Sequence, residues 1–232
     1  KEFRPAVLNI WCAEGNSITS GTATIIDPSG ILLTNAHVVR DIKNINDCVL
    51  RSWNPAENVA RFKIIYTPPQ NTLIKDTEFT RNDFAFLKIT EGLSEKDRTV
   101  WPYAPVAFDI PQKGERLFVF GYSTEFVGYV IAVKGIPLLF SDLIVESPLT
   151  FDEQENTLDV LLLRGDISAQ GGSSGAPLVN SDKNVVALFS LVTKEGETTS
   201  DRTGIAILAS YINRILQKDL GQTLPQFLNV NK

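Results

Sequence analysis

The sequence predicts an all-β fold, and three observations carry that prediction. Short runs rich in β-branched and aromatic residues recur along the chain, separated at regular intervals by clusters of Gly, Pro, Asn and Ser. A helical period appears only once, close to the C-terminal end. Hydrophobic residues make up 43% of the 232 residues, which is enough for a substantial core and excludes wholesale disorder.

Residues 6–13 read as a first strand, broken by Gly15, Asn16 and Ser17. Residues 21–27 and 31–34 flank the Pro28-Ser29-Gly30 turn as a β-hairpin. Further strands are expected at 48–53, 61–66 and 84–89. Residues 67–81, with Pro68, Pro69 and many polar side chains, read as a long surface loop. Residues 92–112 carry Pro102, Pro105 and Pro111 and read as the connection between two halves. In the second half, strands are expected at 116–121, 129–134, 143–146, 157–163, 185–193 and 204–208. Ser210 reads as the N-cap of a helix whose Tyr211, Ile212, Ile215, Leu216 and Leu220 recur at helical spacing up to Gly221. Residues 222–232 show little periodicity, and no internal repeat is evident.

Composition excludes several function classes. The net charge is −5 and the basic residues are scattered, so no nucleic-acid or anionic-membrane partner is expected. No apolar run reaches the roughly 18 residues of a membrane span. With one histidine and two cysteines in no metal-binding spacing, neither a metal nor a cofactor is expected. Cys12 and Cys48 read equally as one disulfide, which marks an oxidising compartment, or as two buried thiols. The chain holds no methionine and starts Lys-Glu-Phe-Arg-Pro, which gives the expectation of a processed or trimmed form.

Residues 171–178 (GGSSGAPL) stand between two apolar runs and read as a tight loop. Such a loop presents a hydroxyl and backbone N–H groups together, which serine acyl-transfer chemistry needs. His37 is the one histidine, so a histidine base serving that serine has to be His37. Asp83 stands at the mouth of the 84–89 strand. Taken singly, these features read as a glycine-rich turn, a packed histidine and a strand-start turn residue. Together they occur in the order His37, Asp83, Ser174, which is one of the known chain orders of the serine triad. The same loop also fits a G-x-S-x-G elbow with Ser173 as nucleophile. That elbow requires a histidine after the serine, and none follows residue 37.

Four blocks carry a family resemblance. GTATIIDPSGILLTNAHVV at 21–39 resembles GSGxIIxxxGxILTNxHVV, and DFAFLK at 83–88 resembles DLAVLK. DISAQGGSSGAPLVN at 166–180 is similar to DAAINxGNSGGPLVN, and GIAILAS at 204–210 is similar to GFAIPS. The chain thus resembles trypsin-like (chymotrypsin-fold) serine proteases of the HtrA/DegP type. The resemblance implies two six-stranded antiparallel β-barrels with a C-terminal helix. Residues 1–104 would carry His37 and Asp83, and residues 105–232 would carry Ser174. It implies Ser174 as nucleophile, His37 as base and then acid, Asp83 as the orienter of the imidazole, and the N–H groups of Gly172 and Ser174 as oxyanion hole. Ser190 falls where the family often has a hydroxyl near this aspartate. The specificity pocket falls on Ser168, Phe189, Ser190, Leu191 and Val192, without an acid at its base, which implies a small or medium aliphatic side chain before the scissile bond.

The implied activity is that of a serine endopeptidase acting on protein or peptide substrate in an extracytoplasmic compartment, with a homo-oligomer or regulatory partner. The alternative is a latent or inactive protease-fold module that binds a peptide or protein partner. Two residues depart from the pattern: Ser173 replaces Asn or Asp, and Ala176 replaces glycine. Residues 67–81 and 136–156 do not resemble the family closely.

Overall fold

The computed structural model describes residues 3–14, 17–52, 57–69, 81–93, 99–123, 135–152, 157–165, 173–192 and 203–232. The first barrel comprises β1 (Val7–Glu14), β2 (Ser17–Asp27), β3 (Ile31–Thr34), β4 (Cys48–Arg51), β5 (Asn58–Tyr66) and β6 (Ala85–Gly92). The second comprises β7 (Arg116–Tyr122), β8 (Leu138–Leu149), β9 (Val160–Gly165), β10 (Pro177–Val179), β11 (Val185–Val192) and β12 (Thr203–Leu208). A short helix α1 (Ala36–Arg40) follows β3, and α2 (Ala209–Leu220) and α3 (Leu224–Val230) end the chain. Both barrels are closed and antiparallel with the same neighbour order, β1-β2-β3-β6-β5-β4 and β7-β8-β9-β12-β11-β10. This is the chymotrypsin-like double barrel.

Strand alternation explains how one chain builds two cores that share a wall. On β3, Leu32 points into the first barrel, while Ile31 and Leu33 point into the core that continues through the second. Around β6, Ala85 and Leu87 line the first barrel, and Phe84 and Phe86 face the shared core. All four residues of β3 are therefore buried. The C-terminal helices lie against the same wall. Phe227 of α3 packs on Phe86 with ring centroids 4.9 Å apart and on Tyr66 at 5.9 Å. The crossing between barrels is pinned by Ala104 N–H on the Ile25 carbonyl at 2.9 Å and Val185 N–H on the Pro105 carbonyl at 2.8 Å.

Several local expectations are corrected. Residues 177–179 of the glycine-rich stretch are strand, because β10 pairs with both β7 and β11 and closes the second barrel. The 143–146 strand extends over 138–149 as β8 and occupies much of the region read as an unfamiliar loop. Residues 224–230 form a helix, closed by a capping box between Thr223 and Gln226 with Pro225 in its first turn. Ser210 is not an N-cap: α2 starts at Ala209 with Leu208 at the cap position, and the buried Ser210 hydroxyl has no hydrogen-bond partner among the described residues. The strand expected at 129–134, and most of the 67–81 loop, lie outside the described residues.

The two cysteines are joined. Cys12 and Cys48 are directly opposite in the β1–β4 pairing, both about 1% exposed, and form a disulfide across 36 residues of chain. Replacing both by alanine is expected to lower the unfolding free energy by roughly 2–4 kcal/mol, the range for closing a loop of this size. Denaturant unfolding of the double variant checks this, and a midpoint equal to the wild type would refute it.

Candidate active site

His37, Asp83 and Ser174 lie where the barrels meet, each delivered by a short connection beside a strand. β3 ends at Thr34, and Asn35 begins α1 in extended conformation without capping it through its side chain. The Asn35 amide instead donates to the Asp83 carbonyl at 2.7 Å. That bond ties the start of α1 to the entry of β6. His37 then sits in the first turn of α1, where backbone N–H groups lack helical acceptors. Its N–H donates to Asp83 Oδ1 at 2.9 Å, and its ring Nδ1 bonds Asp83 Oδ2 at 2.7 Å. An ionised carboxylate only accepts, so Nδ1 carries the proton and Nε2 is left as the ring's acceptor.

Asp83 is 2% exposed although its partner ring is partly open to solvent. A third donor reaches it from the other barrel: the Ser190 hydroxyl bonds Oδ2 at 2.6 Å. Ser190 points there because of a bulge in β11. Phe189 pairs with Ala206 and Leu191 with Ile205, which leaves Ser190 without a cross-strand partner. Burial by itself would raise the Asp83 carboxyl. The His37 ring, by hydrogen bond and charge, the Ser190 hydroxyl and the His37 backbone N–H together outweigh burial and hold it below the ordinary aspartate value.

The loop bearing Ser174 is fixed mainly by its backbone. The Ser174 carbonyl accepts from Thr22 N–H of the first barrel at 2.9 Å. Gly175 N–H donates to the Phe189 carbonyl at 3.0 Å, and Phe189 N–H to the Ala176 carbonyl at 2.9 Å. Gly175 has φ of +85°, and a Cβ there would stand 2.0 Å from the Thr22 carbonyl oxygen. No other residue type fits that position. Ser173 is 1% exposed, whereas Ser174 is half-buried. The Ser174 hydroxyl donates to the Ser190 carbonyl at 3.5 Å, and among the described residues it makes no hydrogen bond to His37. Active-site hydrogen bonds are often this loose without substrate.

The remaining expected site residues divide. Ser190 turns its hydroxyl to Asp83. The Phe189 ring is 1% exposed in the core of the second barrel, and its backbone N–H and carbonyl hold the serine loop. Leu191 is half-buried. Gly172, Ser168 and the side chain of Val192 lie outside the described residues. Ala176 adopts no left-handed φ, and its Cβ occupies the space that the missing side chain of Gly121 leaves, 3.1 Å from where a Cβ on Gly121 would stand. Sequence reasoning missed Asn35 and Thr22. Each is a buried polar residue inside a motif quoted for other reasons, and that mismatch was the available signal. Among the described residues, no group of three or more His, Cys, Asp and Glu side chains could hold a metal ion.

A double six-stranded barrel with a histidine–carboxylate pair facing a serine loop is the architecture of trypsin-like serine proteases. The family model of the trypsin-like peptidase domain matches residues 21–188, and the chain belongs to that family. No match is found among curated proteins. Solved structures share the fold. The serine endoprotease of Yersinia pestis is 20% identical at TM-score 0.62, over 93% of this chain and 62% of its own. The inactive form of the Rv3671c protease is 19% identical at TM-score 0.61, over 93% of this chain and 89% of its own. An active form of that protease, from M. tuberculosis, is also similar. The scabies mite inactivated protease paralogue S-I1 is 17% identical at TM-score 0.62, over 96% of this chain and 98% of its own.

The lowered Asp83 carboxyl links the site to stability. A depressed native value means that the stabilisation is present above the unfolded value near 3.8 and is lost as pH falls through the native one. The stability difference between wild type and Asp83→Asn is therefore expected to shrink on acidification below about pH 4. Urea titrations at several pH values check it. A difference that stays constant down to the acid limit would contradict the assignment.

Proposed function

We propose that this chain is a serine endopeptidase working through His37, Asp83 and Ser174. The observation that carries the reading is the His37 ring held on the buried Asp83 carboxylate at 2.7 Å, with Ser190 bonding that carboxylate through its hydroxyl and the half-buried Ser174 through its carbonyl. Ser174 Oγ attacks the scissile carbonyl while His37 Nε2 takes its proton. Asp83 keeps the ring in the tautomer this requires and stabilises the imidazolium that forms. The N–H groups of Gly172 and Ser174 receive the oxyanion; that of Ser174 makes no hydrogen bond among the described residues. His37 then protonates the leaving amine, and water resolves the acyl-enzyme by the reverse proton path. The pocket expected from Ser168, Phe189, Ser190, Leu191 and Val192 has no acid at its base and takes a small or medium aliphatic side chain. The Cys12–Cys48 disulfide supports an oxidising, extracytoplasmic setting. Among the described residues no helix is long and apolar enough to cross a membrane.

One observation favours a second reading, a latent or inactive module that binds a partner in the same cleft. The Ser174 hydroxyl is bonded to the Ser190 carbonyl rather than to His37. The inactivated mite paralogue shares the fold.

Labelling with a fluorophosphonate probe separates the two. Wild type and Ser173→Ala are expected to label, Ser174→Ala not at all, and His37→Ala slowed by about 10³-fold or more. Folded wild type that resists the probe would establish the latent reading. In a peptide library, cleavage is expected after Ala, Val or Leu; efficient cleavage after Arg or Glu would overturn the pocket assignment.

A further inference from the structure

The segment that delivers Asp83 is gripped from the opposite barrel. Asn82, the residue before it, has a left-handed φ of 62° without being glycine. Asparagine visits this region more readily than other residues with a Cβ, and contacts that hold its side chain select it. Phe84 N–H closes on the Asn82 carbonyl at 2.8 Å, so the chain turns sharply around Asp83 itself. A rotation at Asn82 would therefore swing the Asp83 side chain.

What enforces the conformation comes from α2. The Tyr211 hydroxyl donates to the Asn82 side-chain oxygen at 2.5 Å. Tyr211 is itself braced. Phe151 meets its ring edge-on at 5.2 Å, and the Arg214 guanidinium lies over it at 5.4 Å. Arg214 is anchored by an ion pair with Asp159, whose carboxylate is buried and also accepts from Phe151 N–H at 2.7 Å and the Thr150 hydroxyl at 3.1 Å. A second strut lies one residue upstream, where Arg81 donates to the Phe151 carbonyl at 2.6 Å. Both residues preceding Asp83 are thus tied to a cluster in the second barrel whose members touch one another.

We propose that Tyr211 is a positioning residue: by holding the Asn82 amide it fixes the left-handed turn that aims the Asp83 carboxylate at His37. Its kinetic consequence rests on the proposed peptidase reading, whereas its effect on the His37–Asp83 hydrogen bond does not.

His37 is the one histidine in the chain, so ¹⁵N-histidine labelling gives one imidazole spectrum. The Nδ1 proton, held to a carboxylate, is expected far downfield in the wild type. Tyr211→Phe keeps the ring contacts and removes the hydroxyl. Asn82→Gly keeps the left-handed turn accessible and removes the acceptor. Each is expected to move that proton upfield and to speed its exchange with water several-fold, and the double variant is expected to do no more than either single. In the peptidase assay kcat should fall about 10-fold with KM within two-fold, well inside the roughly 10²-fold that a 1 Å misplacement costs. A Tyr211→Phe protein with lowered Tm but the wild-type histidine signal would overturn the proposal, as would additive effects of the two substitutions. Should Tyr211→Phe fail to fold, Asn82→Gly carries the same readouts. A wild type that resists the fluorophosphonate probe, with the histidine signal still responding to Tyr211→Phe, would sink the peptidase reading and leave the positioning role standing.

Discussion

A carboxylate buried at 2% exposure is the constraint on which the rest of this structure turns. An ionised group taken out of water costs several kcal/mol unless donors replace its hydration. Asp83 finds three, and they do not come from one place. Two belong to His37 in α1 of the first barrel, and the third is Ser190 on β11 of the second. The carboxylate is fully satisfied only when the barrels are docked. Docking in turn buries Ile31, Leu33, Phe84 and Phe86 against the core of the second barrel. Each such side chain contributes on the order of 2 kcal/mol when removed from water. The apolar wall and the charged site are thus two faces of strands β3 and β6. Forming one forms the other.

The dependence runs in both directions. Just as the second barrel completes the surroundings of Asp83, the first sets the loop of Ser174. Thr22 does most of this from a fully buried position. Its N–H holds the Ser174 carbonyl, its carbonyl accepts from the Thr34 hydroxyl at 2.7 Å, and its own hydroxyl accepts from Tyr122 N–H at 2.9 Å. One threonine therefore joins β2, β3, β7 and the serine loop. The Gly175 backbone passes so close to the same carbonyl that a single methyl group would prise the loop from the barrel. The serine and the histidine are held in relative register by main-chain contacts rather than by a bond between their side chains.

What the sequence reveals of this depends on the range of the determining interaction. Strand positions follow from local alternation, and eleven of the twelve expected strands correspond to strands among the described residues. β10 escaped because it is only three residues long and follows a glycine-rich loop, so no local period marks it; it is strand only because β7 and β11 flank it. The helix at 224–230 was legible only in its cap, where Thr223 and Gln226 stand in capping-box spacing; its apolar pattern is too short to show a period. The disulfide was not, because the separation of Cys12 and Cys48 says nothing about pairing. The β1–β4 register that places them opposite is set by barrel closure. The order of His37, Asp83 and Ser174 was readable for the converse reason: chemistry constrains residue type and order without reference to distance.

The two departures from the resembled motif show how much of that pattern is physical necessity. Glycine at 175 is demanded twice, by a left-handed φ and by the Thr22 carbonyl where a Cβ would sit. Glycine at 176 is demanded by neither. The backbone there is not left-handed, and the added methyl group of Ala176 fills the volume that Gly121 leaves open on β7. Alanine at both 121 and 176 would bring two Cβ atoms to 3.1 Å, tighter than ordinary contact, so this pair holds room for one methyl group. Ser173 is likewise accommodated by burial beneath the loop, its Cα 3.5 Å from the point where a Gly121 side chain would begin. Gly121 thus compensates for the added methyl group of Ala176 from a strand far away in sequence. A motif read along the chain registers Ala176 as a deviation, while the packing across β7 registers it as a methyl group moved into the space that Gly121 leaves.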